Sequence, residues 1–219
     1  MNSPIPETIR DDAFASARWR MVWEQLQDRG ISDVSVLEAM RRVPRHEFVP
    51  EHLRDAAYQD CALPLDHGQT ISQPFIVAFM TEALEPKPEH RVLEVGTGCG
   101  YQAAVLSLLV EEVFSIEIIG TLATSAAQRL HTLGYDNVQV RHGDGHEGWP
   151  DKAPFDSVIA ACAPEEIPRA LIEQLREGGR MVIPVGARGT QDLIVLTKEE
   201  DSLQQTKAMQ VRFVPMTGE

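Results

Sequence analysis

The sequence is poor in cysteine, has few basic residues for its acids, and lacks any long apolar run. Its three cysteines, Cys61, Cys99 and Cys162, lie far apart and form no C-x-x-C pair, so they indicate neither a disulfide framework nor a zinc site. Lys and Arg together number 20 against 33 Asp and Glu, which gives a net charge of −13. Because nonspecific affinity for nucleic acid comes largely from basic residues that neutralise phosphates, this charge disfavours a nucleic acid partner.

No segment reaches the roughly 20 consecutive apolar residues that a membrane helix needs. Residues 1–10 also lack the basic start and apolar core of a secretory signal. We therefore expect no membrane association and a cytoplasmic location. With 219 residues, 43% of them hydrophobic, the chain can fill one α/β core, so a single domain over residues 1–219 is predicted.

The most informative stretch that is present covers residues 92–102. An apolar strand containing Glu94 is followed by an apolar helix, and between them lie glycines at alternate positions, Gly96, Gly98 and Gly100. Glycine lets the backbone adopt a positive φ or lie directly against a ligand, and a strand feeding such a turn places the ligand at the helix N-terminus. The spacing differs from the dinucleotide fingerprint G-x-G-x-x-G, and no G-x-x-x-x-G-K-[ST] loop occurs. The pattern acid-x-G-x-G-x-G resembles motif I of the class I methyltransferases, which bind S-adenosylmethionine.

Strand and helix patterns alternate along most of the chain, which is typical of βαβ units in a parallel sheet. We predict an α/β fold, a Rossmann-like three-layer αβα sandwich with a mostly parallel seven-stranded sheet and N-terminal helices. Helices are predicted over 14–28, 34–42, 53–58, 72–84, 101–109, 120–133 and 167–175. Strands are predicted over 92–95, 112–117, 138–142, 157–161, 179–185, 193–197 and 209–214, the last two as an edge hairpin joined by polar residues 198–206. The predicted regions are a helical cap over 1–65, the Rossmann-like cofactor-binding core over 66–186, and strands that close the substrate site over 187–219.

The first predicted helix rests on four apolar residues at helical spacing. These are Trp19, Val22, Trp23 and Leu26, which a helix would place on neighbouring turns. We therefore expect Trp19 and Trp23 to make core or cap contacts and not to serve as stacking platforms for bases.

Three acids close to the predicted strands are candidate cofactor ligands. Glu117 ends the second strand, 21 positions after Gly96, where an acid would accept hydrogen bonds from both ribose hydroxyls. The alternative is a solvated acid at a strand end. Asp144 follows the third strand, where it would meet the adenine amino group unless it is only a turn acid. Glu94 would orient the glycine loop or the ammonium group of the cofactor.

Several further segments are more selective than the glycine turn. They are L-P-L-D-H-G-Q-T-I-S-Q-P at 63–74, R-H-G-D-G at 141–145, A-P-F-D at 153–156, G-G at 178–179, P-V-G at 184–186 and V-R-F-V-P at 211–215. Together they resemble the protein-L-isoaspartate O-methyltransferases, in order and at family spacing, from about Leu26 to Thr217. The resemblance implies transfer of the methyl group of S-adenosylmethionine to the α-carboxylate of isoaspartyl residues in damaged proteins. The product S-adenosylhomocysteine would leave, and the ester would begin repair through a succinimide.

The resemblance also implies roles for particular residues. Ser72, in the T-I-S-x-P motif, would be the catalytic residue and would bind substrate together with the main chain of Val214. Ser72 could instead cap the helix that Pro74 opens, and both roles can hold. Arg212 could pair with a substrate carboxylate or be a solvated strand residue, and we favour the second. The implied cofactor-binding residues are Gln69, Thr70, Ile71, Ser72, Glu94, Gly96, Thr97, Gly98, Glu117, Ile118, Asp144, Gly145 and Thr217.

The implied chemistry needs no general base. A carboxylate has an ordinary pKa of about 4 and is already ionised at neutral pH. The stretch 158–164 at the fourth strand of the core offers a thiol but no acid or amide, unlike methylases that must deprotonate an amine. We therefore expect positioning and exclusion of water to supply the rate.

Other expectations concern partners and departures from the family. His142 and His146 flank Asp144, but glycines interrupt this segment, so no metal is expected. The expected partners are isoaspartyl peptides and proteins, and the chain is expected to be a monomer. Asp66 stands where relatives usually have glycine, and its charge would oppose an anionic acceptor. Rival functions are a related methyltransferase for another carboxylate or for RNA, and a cofactor-binding regulatory module without turnover.

Overall fold

The computed structural model describes residues 13–200 and 202–218. Its strands are β1 (Leu63–Pro64), β2 (Thr70–Ile71), β3 (Arg91–Val95), β4 (Glu112–Glu117), β5 (Val138–His142), β6 (Phe155–Ala160), β7 (Leu175–Val185), β8 (Gln191–Glu199) and β9 (Ser202–Val211). Its α-helices are α1 (Ala15–Arg20), α2 (Val34–Arg42), α3 (Pro74–Ala83), α4 (Tyr101–Ser107), α5 (Gly120–Thr132) and α6 (Arg169–Gln174). A π-helix continues α1 over Met21–Leu26, and 3-10 helices cover Gln27–Arg29, Arg45–Phe48, Glu51–Ala56, Asp66–Gly68 and Pro150–Lys152.

The main sheet has seven strands in the order β5-β4-β3-β6-β7-β8-β9. The pairings from β5 to β7 are parallel, whereas β8 pairs antiparallel with both β7 and β9. The chain adds β4 and β5 on one side of β3 and then crosses to add β6 on the other. The carboxyl ends of β3 and β6 therefore form a topological switch point, where ligands of α/β sheets bind. The predicted fold class is confirmed.

Two apolar clusters cover the two faces of the sheet. Neighbouring residues of one strand alternate between them, as Val92 packs with the first cluster and Leu93 with the second. The first cluster includes side chains of α2, α3 and α4, and the second includes Leu171 of α6. Because successive strand residues point to opposite faces, this alternation gives the three layers of the predicted sandwich.

The long C-terminal hairpin corrects the prediction for residues 198–206. This stretch is strand almost throughout, since β8 continues to Glu199 and β9 begins at Ser202. Residues 202–208 are exposed, because β9 lies at the edge of the sheet. An edge strand with little to bury can be polar, and charged residues there discourage pairing with other chains.

The prediction of core contacts is wrong for Trp19 and Trp23. Val22 and Leu26 are fully buried, whereas 58% of Trp19 and 45% of Trp23 is exposed. Their rings stack on each other, with centroids 5.8 Å apart. Helical spacing shows that residues share a face, but it does not show which of two adjacent apolar stripes meets the core.

In the described part of the chain, every helix is too short or too polar to cross a membrane.

Candidate active site

An inner cavity lies at the carboxyl ends of β3, β4 and β6. Its walls come from the glycine turn, the end of β4, the start of α3 and the segments 68–72 and 213–217. The predicted site residues in these walls are Gln69, Thr70, Ile71, Ser72, Gly96, Thr97, Gly98, Glu117, Ile118, Gly145, Val214 and Thr217. The fold therefore brings together residues from five separate parts of the sequence.

The glycine turn is shaped as its spacing predicts. Gly96, Gly98 and Gly100 have φ values of 93°, 54° and 90°, which side-chain-bearing residues rarely adopt. The turn is fastened to the neighbouring strand, since the amide of Gly96 donates to the Ile116 carbonyl at 2.8 Å. The result is a bare stretch of backbone along one wall of the inner cavity.

Gly145, in the turn that follows β5, is needed for a different reason. A Cβ atom added there would lie 2.3 Å from Cγ1 of Val95, closer than any real contact. Only glycine lets this turn approach the end of β3, and the approach makes Gly145 part of the cavity wall.

Glu117 joins the glycine turn to the end of β4. One carboxylate oxygen accepts from the Gly98 amide at 2.8 Å, and the other accepts from the Ile119 amide at 3.0 Å. A carboxylate has about four acceptor positions, so these two bonds leave capacity for further donors. A rigid carboxylate in the cavity wall with capacity to spare fits the two adjacent hydroxyls of a ribose.

Glu94 lies behind the cavity and not in its wall. It is fully buried, its Oε2 accepts from the Ser115 hydroxyl, and its Oε1 has no hydrogen-bond partner among the described residues. Burial raises the pKa of Glu94 to about 8, with a smaller contribution from the nearby Glu117. Glu94 is therefore a neutral carboxyl group at neutral pH. Its contact with the ammonium group of the cofactor stays a prediction.

The raised pKa of Glu94 makes stability depend on pH. Between about 4.5 and 8 the folded protein binds a proton that the unfolded chain releases, so this contribution is full at low pH and is lost as pH rises. We expect Glu94→Gln, which keeps the neutral form, to gain stability relative to wild type from pH 5.5 to 8.5, by on the order of a few kcal/mol. Urea unfolding at both pH values measures this, with Glu112→Gln as the matched control. Parallel changes in wild type and Glu94→Gln would exclude a raised pKa.

Asp144 bonds within its own turn, next to the cavity residue Gly145. Its Oδ1 accepts from the His146 amide at 2.8 Å and lies 2.9 Å from the ring Nδ1 of the same residue. The turn-acid alternative accounts for these bonds, and Asp144 is absent from the residues that form the cavity walls. An adenine contact by Asp144 stays a prediction.

Ser72 occupies the junction between the inner cavity and a second, outer groove. It lies in the walls of both, together with Thr70, Ile76, Ala161, Phe213 and Val214. The residue that caps α3 is Gln73, and no side chain makes a cap hydrogen bond there, so Ser72 is not the helix cap. Its carbonyl accepts from the Arg45 guanidinium at 2.7 Å.

The outer groove opens beside the C-terminal segment. Among the described residues in its walls Arg212 alone is charged, and its side chain is exposed. The segment is held in place by bonds to the core, as the Ala163 amide donates to the Val214 carbonyl and the Met216 amide donates to the Ala163 carbonyl, both at 2.8 Å. This cross-link fixes one side of the groove against the end of β6.

Two thiols in the cavity wall went unpredicted as site residues. Burial raises the pKa of Cys99, and burial together with the nearby acids raises the pKa of Cys162 to about 12. Both thiols are therefore protonated at neutral pH and are poor nucleophiles. Further cavity residues that sequence reasoning missed are Gly68, Val77, Met80, Val95, Tyr101, Gln102, Ile116, Ile119, Pro215 and Met216, several of which differ little from ordinary core residues. The described residues contain no cluster of ligands for a metal.

The parallel sheet, the glycine turn after β3 and the acid at the end of β4 define a class I S-adenosylmethionine-dependent methyltransferase. The protein-L-isoaspartate(D-aspartate) O-methyltransferase family model matches residues 17–219. The chain belongs to this family, whose members use S-adenosylmethionine as methyl donor.

Individual proteins that are similar to this chain carry the name of the same family. The chain is 54% identical over 212 residues to the protein-L-isoaspartate O-methyltransferase of Synechococcus sp. (strain JA-2-3B'a(2-13)), covering 94% of this chain and 87% of the relative. It is 47% identical over 218 residues to that of Picosynechococcus sp. (strain ATCC 27264 / PCC 7002 / PR-6), covering 100% and 98%. One solved protein-L-isoaspartate O-methyltransferase has a TM-score of 0.82 at 29% identity over 92% of this chain, which spans 66% of that chain. Another, from Plasmodium falciparum in complex with S-adenosyl-L-homocysteine, shares the fold with a TM-score of 0.78 at 24% identity, over 92% and 99%.

Proposed function

We propose that this chain methylates the α-carboxylate of L-isoaspartyl residues at the junction between the inner cavity and the outer groove. The observation that carries the proposal is the position of Ser72, which lines both spaces. A donor in the inner cavity and an acceptor in the outer groove would meet at this residue.

The inner cavity suits the donor. Glu117 would accept from the ribose hydroxyls, while the bare backbone of Gly96 and Gly98 would lie against the amino acid part of the cofactor. The segment 69–72 and Thr217 would complete the enclosure. When bound, S-adenosylmethionine supplies a methyl group on a positively charged sulfur.

The outer groove suits an anionic acceptor. The Ser72 hydroxyl would donate to one oxygen of the isoaspartyl carboxylate and aim the other oxygen at the methyl group. No side chain needs to remove a proton, because the acceptor is ionised and the thiols of Cys99 and Cys162 hold theirs. Enclosure of the two reactants in fixed positions would supply most of the acceleration.

The product is a methyl ester, and its chemistry accounts for repair. An ester carbonyl is more electrophilic than a carboxylate, so the next backbone amide nitrogen can attack it, losing its proton as methanol leaves. Water can then add to one carbonyl of the succinimide that forms and open the ring to a normal aspartyl residue. The enzyme's own residues need only release the ester.

The proposed partner is an isoaspartyl polypeptide, and the enzyme is proposed to bind it as a monomer. The excess of 13 acids over bases supports a partner other than nucleic acid. Asp66 is exposed and lies outside the walls of both the cavity and the groove, which weakens the expectation that it opposes the acceptor directly.

A pair of peptides tests the proposal. An isoaspartyl peptide and its normal aspartyl twin are incubated with enzyme and S-adenosylmethionine labelled in the methyl group. We expect base-labile label on the isoaspartyl peptide alone. Labelling of both peptides or of neither would contradict the proposal, and cofactor binding without labelling would favour a regulatory module.

A further inference from the structure

Arg45 is a fully buried cation immediately behind the proposed acceptor site. It begins the 3-10 helix Arg45–Phe48 in the N-terminal cap. Its Nε donates to the Ala57 carbonyl and its Nη2 to the Ser72 carbonyl, both at 2.7 Å. The guanidinium carbon also lies 4.8 Å from the ring centre of Tyr101.

The charge of Arg45 has no counterion among the residues that the structure describes. In the described part of the chain no carboxylate forms an ion pair with it, and its Nη1 has no hydrogen-bond partner. Burial lowers the pKa of Arg45, yet a guanidinium remains protonated in proteins. A buried charge without a partner destabilises the folded state, and an apolar side chain of the same volume would destabilise it less. The structure therefore holds a cation here at the expense of stability.

The contacts of Arg45 connect the two halves of the active site. The Ser72 carbonyl fixes the main chain from which the serine hydroxyl projects. Tyr101 opens α4 directly after the glycine turn and lines the inner cavity. One rigid group thus sets the acceptor-side serine and the donor-side helix relative to each other.

The charge of Arg45 also counteracts the negative electrostatic potential of the site. Glu117 lies in the wall of the inner cavity, and the protein as a whole carries −13. An isoaspartyl carboxylate adds another negative charge in this region. A fixed cation behind Ser72 offsets that repulsion, and low-dielectric surroundings strengthen its effect.

We propose that Arg45 is a positioning residue for methyl transfer, which holds Ser72 through its carbonyl and supplies the positive charge that lets an isoaspartyl carboxylate settle beside it. The proposal rests on the proposed function. Arg45 is not itself one of the described residues that line the inner cavity or the outer groove, so it acts through Ser72 and through its field.

Arg45→Lys tests the positioning. Lysine keeps the charge but loses the planar pair of donors that holds two carbonyls at once. We expect kcat/KM for the isoaspartyl peptide to fall about tenfold, while the Kd for S-adenosylhomocysteine changes by less than about threefold. Arg18→Lys is the matched control, because Arg18 is also buried in the cap but bonds to the Tyr58 hydroxyl. It should leave kcat/KM within about twofold of wild type.

A double-mutant cycle with Ser72→Ala separates this role from general damage. If Arg45 acts through Ser72, Arg45→Lys should have little further effect on kcat/KM once the serine hydroxyl is absent. A folded Arg45→Lys with wild-type kcat/KM, or effects that simply multiply, would overturn the proposal. Wild-type turnover on the same peptide is measured beside it, and its absence would reject the proposed function instead.

A measurement on the wild-type protein covers the case in which Arg45→Lys does not fold. In protein labelled with ¹⁵N-arginine and saturated with S-adenosylhomocysteine, the Arg45 guanidinium signal is assigned through its contact with the Tyr101 ring. It should shift when isoaspartyl peptide is added and stay in place with the aspartyl twin, and the Arg18 signal should not move. An unmoved Arg45 signal at saturating isoaspartyl peptide would reject the role.

Discussion

Replacement of Glu117 by alanine is expected to weaken binding of S-adenosylmethionine and S-adenosylhomocysteine by more than 100-fold. A hydrogen bond to a charged group contributes about 1.5–3 kcal/mol, and two bonds to the ribose hydroxyls would be lost together. The substitution also removes the acceptors of the Gly98 and Ile119 amides, so the glycine turn loses a tether to the end of β4. Both effects weaken binding of the cofactor before any methyl transfer, so calorimetry should show an increased Kd.

Glu112→Ala is the matched control for this experiment. Glu112 begins the same strand, at the end far from the cavity, where it pairs with Arg91 at 3.3 Å. Its loss should change thermal stability slightly and leave the Kd unaltered. A Glu117→Ala protein that binds the cofactor product as wild type does would show that the ribose lies elsewhere and that Glu117 serves only to shape the turn.

Much of this arrangement could be predicted from the sequence because its signals are local. The glycine spacing fixes the turn after β3, and a parallel sheet then places the end of the next strand beside it. Counting from Gly96 therefore predicts that Glu117 lies near the turn, and it does lie in the cavity wall. Bounds of α2, β4 and β5 agree with the predicted ranges for the same reason: each is a short periodic run bounded by turn residues.

The predictions that failed concern choices that only packing makes. Trp19 and Trp23 share a face with each other, but the core meets the stripe of Val22 and Leu26, and no local signal distinguishes the two stripes. The polarity of residues 202–208 indicates exposure, which a loop and an edge strand share.

The burial of Arg45 could not be predicted from the sequence, for a different reason. Arginine in the segment R-H-E-F reads as a surface charge, because most arginines are exposed. Its burial depends on three carbonyl or ring partners at positions 57, 72 and 101, which are distant in sequence and meet only in the fold. A long-range contact of this kind leaves no periodic pattern to read.

Ser72→Ala is expected to lower kcat on the isoaspartyl peptide by about 100-fold, since loss of a positioning hydrogen bond in the transition state has effects of this size. The carbonyl that Arg45 holds belongs to the main chain and survives the substitution, so the backbone of the segment should keep its place. The Kd for S-adenosylhomocysteine should therefore stay close to that of wild type. Turnover and calorimetry on the same preparation measure the two quantities, with Ser35→Ala, an exposed serine of α2, as the control.

The pH dependence of the chemical step decides whether Ser72 orients or is itself deprotonated. No histidine lies in the walls of the inner cavity or the outer groove in the described chain, and both cavity thiols hold their protons. Single-turnover rates in Glu94→Gln, which removes the acid behind the cavity that is expected to titrate near pH 8, should be flat from pH 6 to 8. A steep limb in that variant would mean that a base activates the acceptor, and wild-type kcat in Ser72→Ala would mean that the hydroxyl does nothing. A flat profile combined with slow turnover leaves one explanation, in which an acceptor that is already an anion needs only to be aimed.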